Sequence, residues 1–139
     1  MAVITKSIRF ETMGETDVID ITEGVAEAVG EGEISSGTVT VFVPGSTAGV
    51  TTIEYEDGAV SDYREALERM APTDIHYHHD ARWGDGNGYS HVRAAIQGAS
   101  LTVPFSSGRL LLGTWQQIIV VDFDNRPRAR EIVLQIMGE

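Results

Sequence analysis

Between Gly37 and Pro44 the chain reads Gly-Thr-Val-Thr-Val-Phe-Val-Pro, alternating residue by residue and β-branched at most steps. Branching at Cβ crowds a helix and suits a pleated, half-buried surface. This stretch therefore commits the chain to a sheet. The same period of two recurs over residues 3–10, with Ile4, Ile8 and Phe10 on one face and Thr5, Ser7 and Arg9 on the other. Further strands are expected over residues 15–21, 50–55, 100–105, 109–113, 114–123 and 130–137. Ser106-Ser107-Gly108 reads as a hairpin turn, and Arg126-Pro127 marks another.

Helical spacing appears only between these strands. Thr22 is placed to cap a helix running to Gly30, with Val25, Ala26 and Val29 inward. Val60, Tyr63, Leu67 and Met70 then recur at steps of three and four, which predicts an amphipathic helix of about three turns that Pro72 ends. A shorter helix is expected over residues 90–97, capped by Ser90, with Val92, Ala95 and Ile96 inward. Strands at both ends with helices between them predict an α+β fold. We expect a single domain over residues 1–139, mainly an antiparallel sheet or sandwich with two or three helices.

Charge and composition narrow the function. The net charge is −11, from 21 acidic against 10 basic side chains, and Lys6 is the only lysine. Such a field repels a phosphate backbone, so no nucleic-acid partner is expected. The cluster Arg126, Arg128 and Arg130 reads as decoration at a strand start. There is no cysteine, which removes disulfides, thiolate metal sites and a cysteine nucleophile. No apolar run approaches the length of a membrane span and no leader-like segment precedes the first strand, so a cytoplasmic protein without a membrane partner is expected.

Ligand chemistry concentrates in one place. His76, His78, His79 and His91 fall within sixteen residues, separated by a glycine-rich run containing Asp80, Asp85, Asn87 and Trp83. The run has neither helical nor strand periodicity, and an irregular, ligand-rich segment in a compact chain is commonly functional. Histidine is the commonest transition-metal ligand. On an extended chain His76 and His78 would share a face and His79 the other. We read His76 and His78 as solvated, and His79 and His91 as metal ligands or acid–base groups. They would converge if the glycine-rich run doubles back, with Asp80, Asp85 or Glu54 completing a site for a divalent metal such as zinc. Glu54, on an otherwise apolar or hydroxylic strand, is either an exposed residue or a general base or ligand. The loop Gly45-Ser46-Thr47-Ala48-Gly49 either connects two strands or presents amides and hydroxyls to an anion. It is not a Walker loop. Trp115 is expected in the core or at an interface.

Several segments together resemble the YjbQ family: Val43-Pro44-Gly45-Ser46-Thr47-Ala48-Gly49-Val50-Thr51, then His79 with Gly86-Asn87 and Ser90-His91-Val92-Arg93-Ala94, and above all Gly113-Thr114-Trp115-Gln116. The resemblance spans essentially the whole chain. It implies a compact α+β fold assembled as a homotrimer, and a polar pocket lined by His79, Asn87 and His91 with Glu54, Ser46, Thr47 and Gln116 as neighbours. It also implies metal binding through the histidines, a small phosphorylated ligand, and weak thiamine-phosphate synthase activity, with Arg93 and Arg109 as the available cations. Other readings are a metal-assisted hydrolase using Glu54 as base, and a non-catalytic trimer that binds a metal or small anion. Many members of that family carry a histidine where this chain has Gly45. Its role is then absent here or passes to His76 or His78.

Overall fold

In the computed structural model, which describes residues 1–139, the alternating run at 37–42 is β3 (Gly37–Phe42), the central strand of a five-stranded sheet. Its neighbours are β8 (Arg128–Gly138) and β5 (Ser100–Ser106). Outside these lie β1 (Ala2–Thr12) on β8 and the two-residue β6 (Arg109–Leu110) on β5. β1 and β8 pair from Ala2↔Gly138 to Thr12↔Arg128, so the two ends of the chain are one ladder. A second sheet holds β2 (Asp17–Asp20), β7 (Gln117–Asp122) and β4 (Ala48–Ile53), with β7 in the middle. All the pairings are antiparallel, which bears out the expected α+β architecture.

β7 is where the layers meet. Ile118 and Val120 join the core between the sheets, with Val39, Val41, Val103 and Leu134. Ile119 and Val121, which point the other way, pack with Phe123 against Val60 and Leu67 of α2 (Asp57–Met70) and Ala94 of α4 (Gly88–Gln97). A strand buried on both faces must be apolar at every step, unlike the half-exposed β1. α1 (Thr22–Gly30), the first of four helices where two or three were expected, inserts Val25, Ala28 and Val29 into the core between the sheets. No helix is long and apolar enough to cross a membrane.

Several local expectations change. Thr22 does not cap α1: its hydroxyl donates to Asp20 (2.6 Å) and accepts from the Ile118 amide (2.8 Å), tying the helix start to β7. Ala28 is buried in place of Ala26, which is exposed, and Met70 is exposed beyond the last apolar contact of α2. α4 is rotated from its expected face. Val92, Ala95 and Ile96 are exposed, while Tyr89, Arg93 and Ala94 are buried. The reason is Arg93, whose guanidinium donates to the Ala71 carbonyl (3.1 and 2.9 Å), the Thr16 hydroxyl (2.9 Å) and Glu68 (2.7 Å). A charge so fully satisfied can be buried. The strand expected over 109–113 shrinks to β6, and Gly113–Gln116 form a turn in which Gln116 bonds the Gly113 amide. The expected hairpin turn is present, with Ser107 and Gly108 both at positive φ, as a primed turn requires.

Truncating Ile118, wholly buried between the sheets, should cost about 2–5 kcal/mol in Ile118→Ala. Val3→Ala on the exposed side of β1 should stay within about 0.5 kcal/mol. Urea unfolding of both variants measures the contrast.

Candidate functional site

The small sheet's open end collects three loops: the turn Gly45–Thr47 before β4, residues Phe123 and Asp124 after β7, and the histidine-rich segment. The Phe123 amide donates to the Thr47 carbonyl (2.9 Å), which joins the first two. The third was expected to be irregular, yet residues 78–83 form a short helix, α3 (His78–Trp83), that ends at Gly84. Gly84 and Gly86 both have φ of +70°, a conformation that glycine adopts at little cost, and the chain reverses there into α4. Asn125 holds the reversal by donating to the Asp85 carbonyl (2.8 Å), and Ser90 Oγ donates to the Phe123 carbonyl. The glycine-rich run does double back. The rings of His79 and His91 lie 4.2 Å apart between centroids, tilted by 40°.

These elements enclose a cleft of about 520 Å³ with one apolar residue, Trp83, in its lining. Ser46 and Thr47 line one side, His79, Asp85, Asn87 and His91 another, and Arg128 and Arg130 from β8 the third. Behind the arginines are two carboxylates with no solvent exposure, Asp122 and Asp124. Arg130 donates from Nε and Nη2 to the two oxygens of Asp122 (2.8 and 2.9 Å), and from Nη2 to the Thr47 hydroxyl (2.8 Å). Arg128 grips Asp124 through Nε (2.8 Å) and Nη2 (2.7 Å). Burial pushes the Asp124 carboxyl up. Hydrogen bonds from Asn87, Arg128, the Asn125 amide and Thr47 outweigh that and hold it at about 2, below the usual 3.8.

A cation is better matched to the opposite wall. His79 Nδ1 is buried without a hydrogen-bond partner, 3.4 Å from an Asp85 oxygen and 3.7 Å from an Asp80 oxygen. One donor atom from each of these three residues lies within 4.8 Å of the others. An unpartnered imidazole nitrogen between two carboxylates is a donor set that zinc or a similar ion would fit. Asp80 is held in place by the Gly88 amide (2.8 Å). His91 lies outside this trio, its ring beside that of His79. Asn87, which gives its amide hydrogen to Asp124 (3.2 Å), keeps its carbonyl oxygen buried and unpartnered.

Five of the expected site residues, Ser46, Thr47, His79, Asn87 and His91, therefore share one cleft. Glu54 does not join them. It is exposed just past β4, roughly 20 Å of extended chain from Thr47 at about 3.3 Å per residue. Gln116 is also elsewhere, donating to the Thr52 hydroxyl (3.2 Å) in a groove beside Leu112. Trp115 is exposed rather than in the core. His76 and His78 are exposed, stack edge to face at 5.4 Å and do not line the cleft, so neither replaces a histidine at position 45. That space belongs to Arg130, whose Nη1 lies 3.2 Å from where a Cβ on Gly45 would stand. The expected cations are corrected likewise. Arg93 is spent on α2, Arg109 lies on β6, and the cleft's cations are Arg128 and Arg130. Sequence carried one sign of them: aspartates at 122 and 124 close the apolar run 118–121, where a carboxylate needs a partner.

Comparisons with known proteins agree over the full length. A model of the family described as UPF0047 protein YjbQ-like matches residues 6–139. A UPF0047 protein of Methanothermobacter thermautotrophicus is 36% identical, covering 100% of this chain and 95% of the relative. UPF0047 protein YugU of Bacillus subtilis is 35% identical over 96% of this chain and 98% of its own. The crystal structure of a YbjQ-like protein of unknown function from Sulfolobus solfataricus P2 superposes with a TM-score of 0.93 at 30% identity, covering 99% of both chains. That of a hypothetical protein from Aeropyrum pernix K1 gives 0.89 at 32% identity, covering 98% of this chain and 99% of the other.

Because Asp124 titrates lower folded than unfolded, it contributes stability above about pH 4 that is lost as pH falls toward 2. The urea midpoint should drop across that window, and the drop should be shallower in Asp124→Asn. Equal acid slopes in the two proteins would contradict this.

Proposed function

The chain belongs to the YjbQ-like (UPF0047) family, and from that premise we propose that its cleft is a metal-dependent site for a small phosphorylated molecule. The observation that carries the reading is His79 Nδ1, buried, unpartnered and facing Asp80 and Asp85. Charge supports it. The carboxylates of Asp80, Asp85, Asp122 and Asp124 outnumber the guanidiniums of Arg128 and Arg130 by two, so a divalent ion brings the cleft to neutrality. Such an ion, zinc or one of similar preference, would supply Lewis acidity toward a phosphoryl oxygen.

The chain's own groups do the rest. His91, beside His79 and half-buried, serves as the acid–base group that accepts or returns a proton at the reacting atom. Asn87 orients the ligand through its free carbonyl oxygen, because Asp124 fixes which way its amide points. Ser46 offers its hydroxyl from the facing turn, while the Thr47 hydroxyl is already held between Asp124 and Arg130. Glu54 is not needed in this scheme.

A pyrophosphate-releasing transfer of the thiamine-phosphate synthase type is the second reading. What favours it is the arginine pair, which a polyanionic leaving group requires. Each guanidinium is already paired with a buried aspartate. Less of its charge is then left for pyrophosphate, consistent with a weak activity.

Metal content of the purified, untagged protein tests the site. Near-stoichiometric zinc or manganese is expected after supplementation, lost in His79→Ala and strongly reduced in Asp85→Asn, while Glu54→Gln matches the wild type. His91→Ala should keep its metal and lose turnover. A wild type that takes up no metal sinks the proposal; metal binding without any turnover of phosphorylated substrates favours a storage or sensing protein.

We further propose the homotrimer that the resemblance implies. Its support is apolar surface with no partner within the chain: Val92 and Ile96 on α4, Leu111, and Trp115, the last 72% exposed. Light scattering should give about 45 kDa, three times the 15.1 kDa of one chain; a value near one chain's mass excludes it.

A further inference from the structure

We propose that the free Nη1 ends of Arg128 and Arg130, with the Ser46 hydroxyl, form a subsite for a tetrahedral oxyanion, the phosphoryl group of the ligand. This rests on the reading of the cleft as a site for a metal and a phosphorylated molecule. It adds where the phosphoryl group sits and which donors hold it.

The two guanidiniums are alike in how they are spent. Arg130 uses Nε and Nη2 on Asp122, and Arg128 uses Nε and Nη2 on Asp124. In both, Nη1 makes no hydrogen bond within the chain. The aspartates that grip them have no solvent exposure. The gripped edge is fixed and both residues line the cleft, where Arg130 Nη1 stands beside Gly45. An arginine held this way loses little rotamer freedom on binding, which is the main entropic cost of recruiting so long a side chain.

Gly45 keeps one of these ends open. A Cβ at this position would stand 3.2 Å from Arg130 Nη1, and the residue's φ of +138° is one that side-chain-bearing residues rarely adopt. Glycine leaves the turn close to the guanidinium without covering it. Ser46, the next residue, lines the same cleft. A phosphoryl group brings three terminal oxygens to share among three donor groups, whereas a carboxylate brings two in one plane. Two fixed Nη1 ends and a hydroxyl, three separate donor groups, match the former.

Electrostatics adds a condition. The arginines are already neutralised by Asp122 and Asp124, and the carboxylates of Asp85, in the cleft's lining, and Asp80, beside it at His79, have no arginine or lysine partner. An anion entering alone meets a negative field. A divalent ion at His79, Asp80 and Asp85 reverses that sign, so phosphate and metal should each tighten the other by the same factor.

Isothermal titration calorimetry of the full chain with inorganic phosphate, with and without manganese, tests this. The variants are Arg128→Lys and Arg130→Lys, which keep a positive charge against the buried aspartate but have no second amino end. Thermal unfolding checks that they fold as the wild type does. The expected result is phosphate binding that manganese tightens tenfold or more, and a further tenfold loss in each folded lysine variant with manganese affinity in the absence of phosphate unchanged. Variants that bind phosphate as tightly as the wild type overturn the subsite and leave the metal reading standing. No phosphate binding by manganese-loaded wild type also overturns it. Phosphate binding that needs both arginines yet ignores manganese upholds the subsite and defeats the metal reading instead.

Discussion

The two ion pairs at the end of β7, Asp122 with Arg130 and Asp124 with Arg128, are the constraint on which the rest of the structure depends. They cross from the three-stranded sheet to the five-stranded one, so they set where the two sheets meet at the cleft end. Thr12 of β1 donates to Asp122, and Thr47 and Asn87 donate to Asp124, which brings β1, the turn before β4 and the start of α4 to the same point. A buried carboxylate stripped of its partner typically costs 3–5 kcal/mol, although the intact pair contributes little net stability over an apolar replacement. The arrangement is therefore better understood as a positional device. It specifies one docking of the sheets and, as a by-product, orients two guanidiniums toward the cleft.

The histidine wall depends on that end being fixed. α3 is six residues long and has no buried residue of its own, so local propensity cannot hold it. What holds it are long-range contacts to the same region, Asn125 to the Asp85 carbonyl and Ser90 to the Phe123 carbonyl, and a local bond from the Gly88 amide to Asp80. Gly88 has a second role. A Cβ there would lie 2.5 Å from Tyr77 Cβ, so the close approach of α3 to α4 needs a residue without a side chain. The convergence of His79 and His91 is thus a product of two glycine-permitted turns and a few hydrogen bonds rather than of sequence spacing.

The cleft is chemically two-sided, and that division is informative. One wall offers an imidazole and carboxylates, suited to a cation; the other offers half-spent guanidiniums and the Ser46 hydroxyl, suited to an oxyanion. At Gly45 a Cβ would stand 3.2 Å from Arg130 Nη1, so a side chain at this turn would crowd the guanidinium.

Sequence by itself determined the elements whose burial follows a local period. The alternation at 3–10 and 37–44, the amphipathic spacing of α2 and the primed turn at Ser107-Gly108 all hold, because each rests on side chains a few residues apart meeting one environment. It also located the cluster from His79 to His91 and the Ser46-Thr47 turn. Tertiary structure alone decided which face α4 buries, since Arg93 is admitted to the interior only by partners 22 to 77 residues away. It alone moved Glu54 and Gln116 out of the site, because an extended strand carries them far from its starting loop. And it alone turned Arg128 and Arg130 from apparent surface charges into the cation wall of the cleft. Charge pairing acts through space and is indifferent to sequence period, so along the chain only the aspartates at 122 and 124, set beside an apolar run, hint at it.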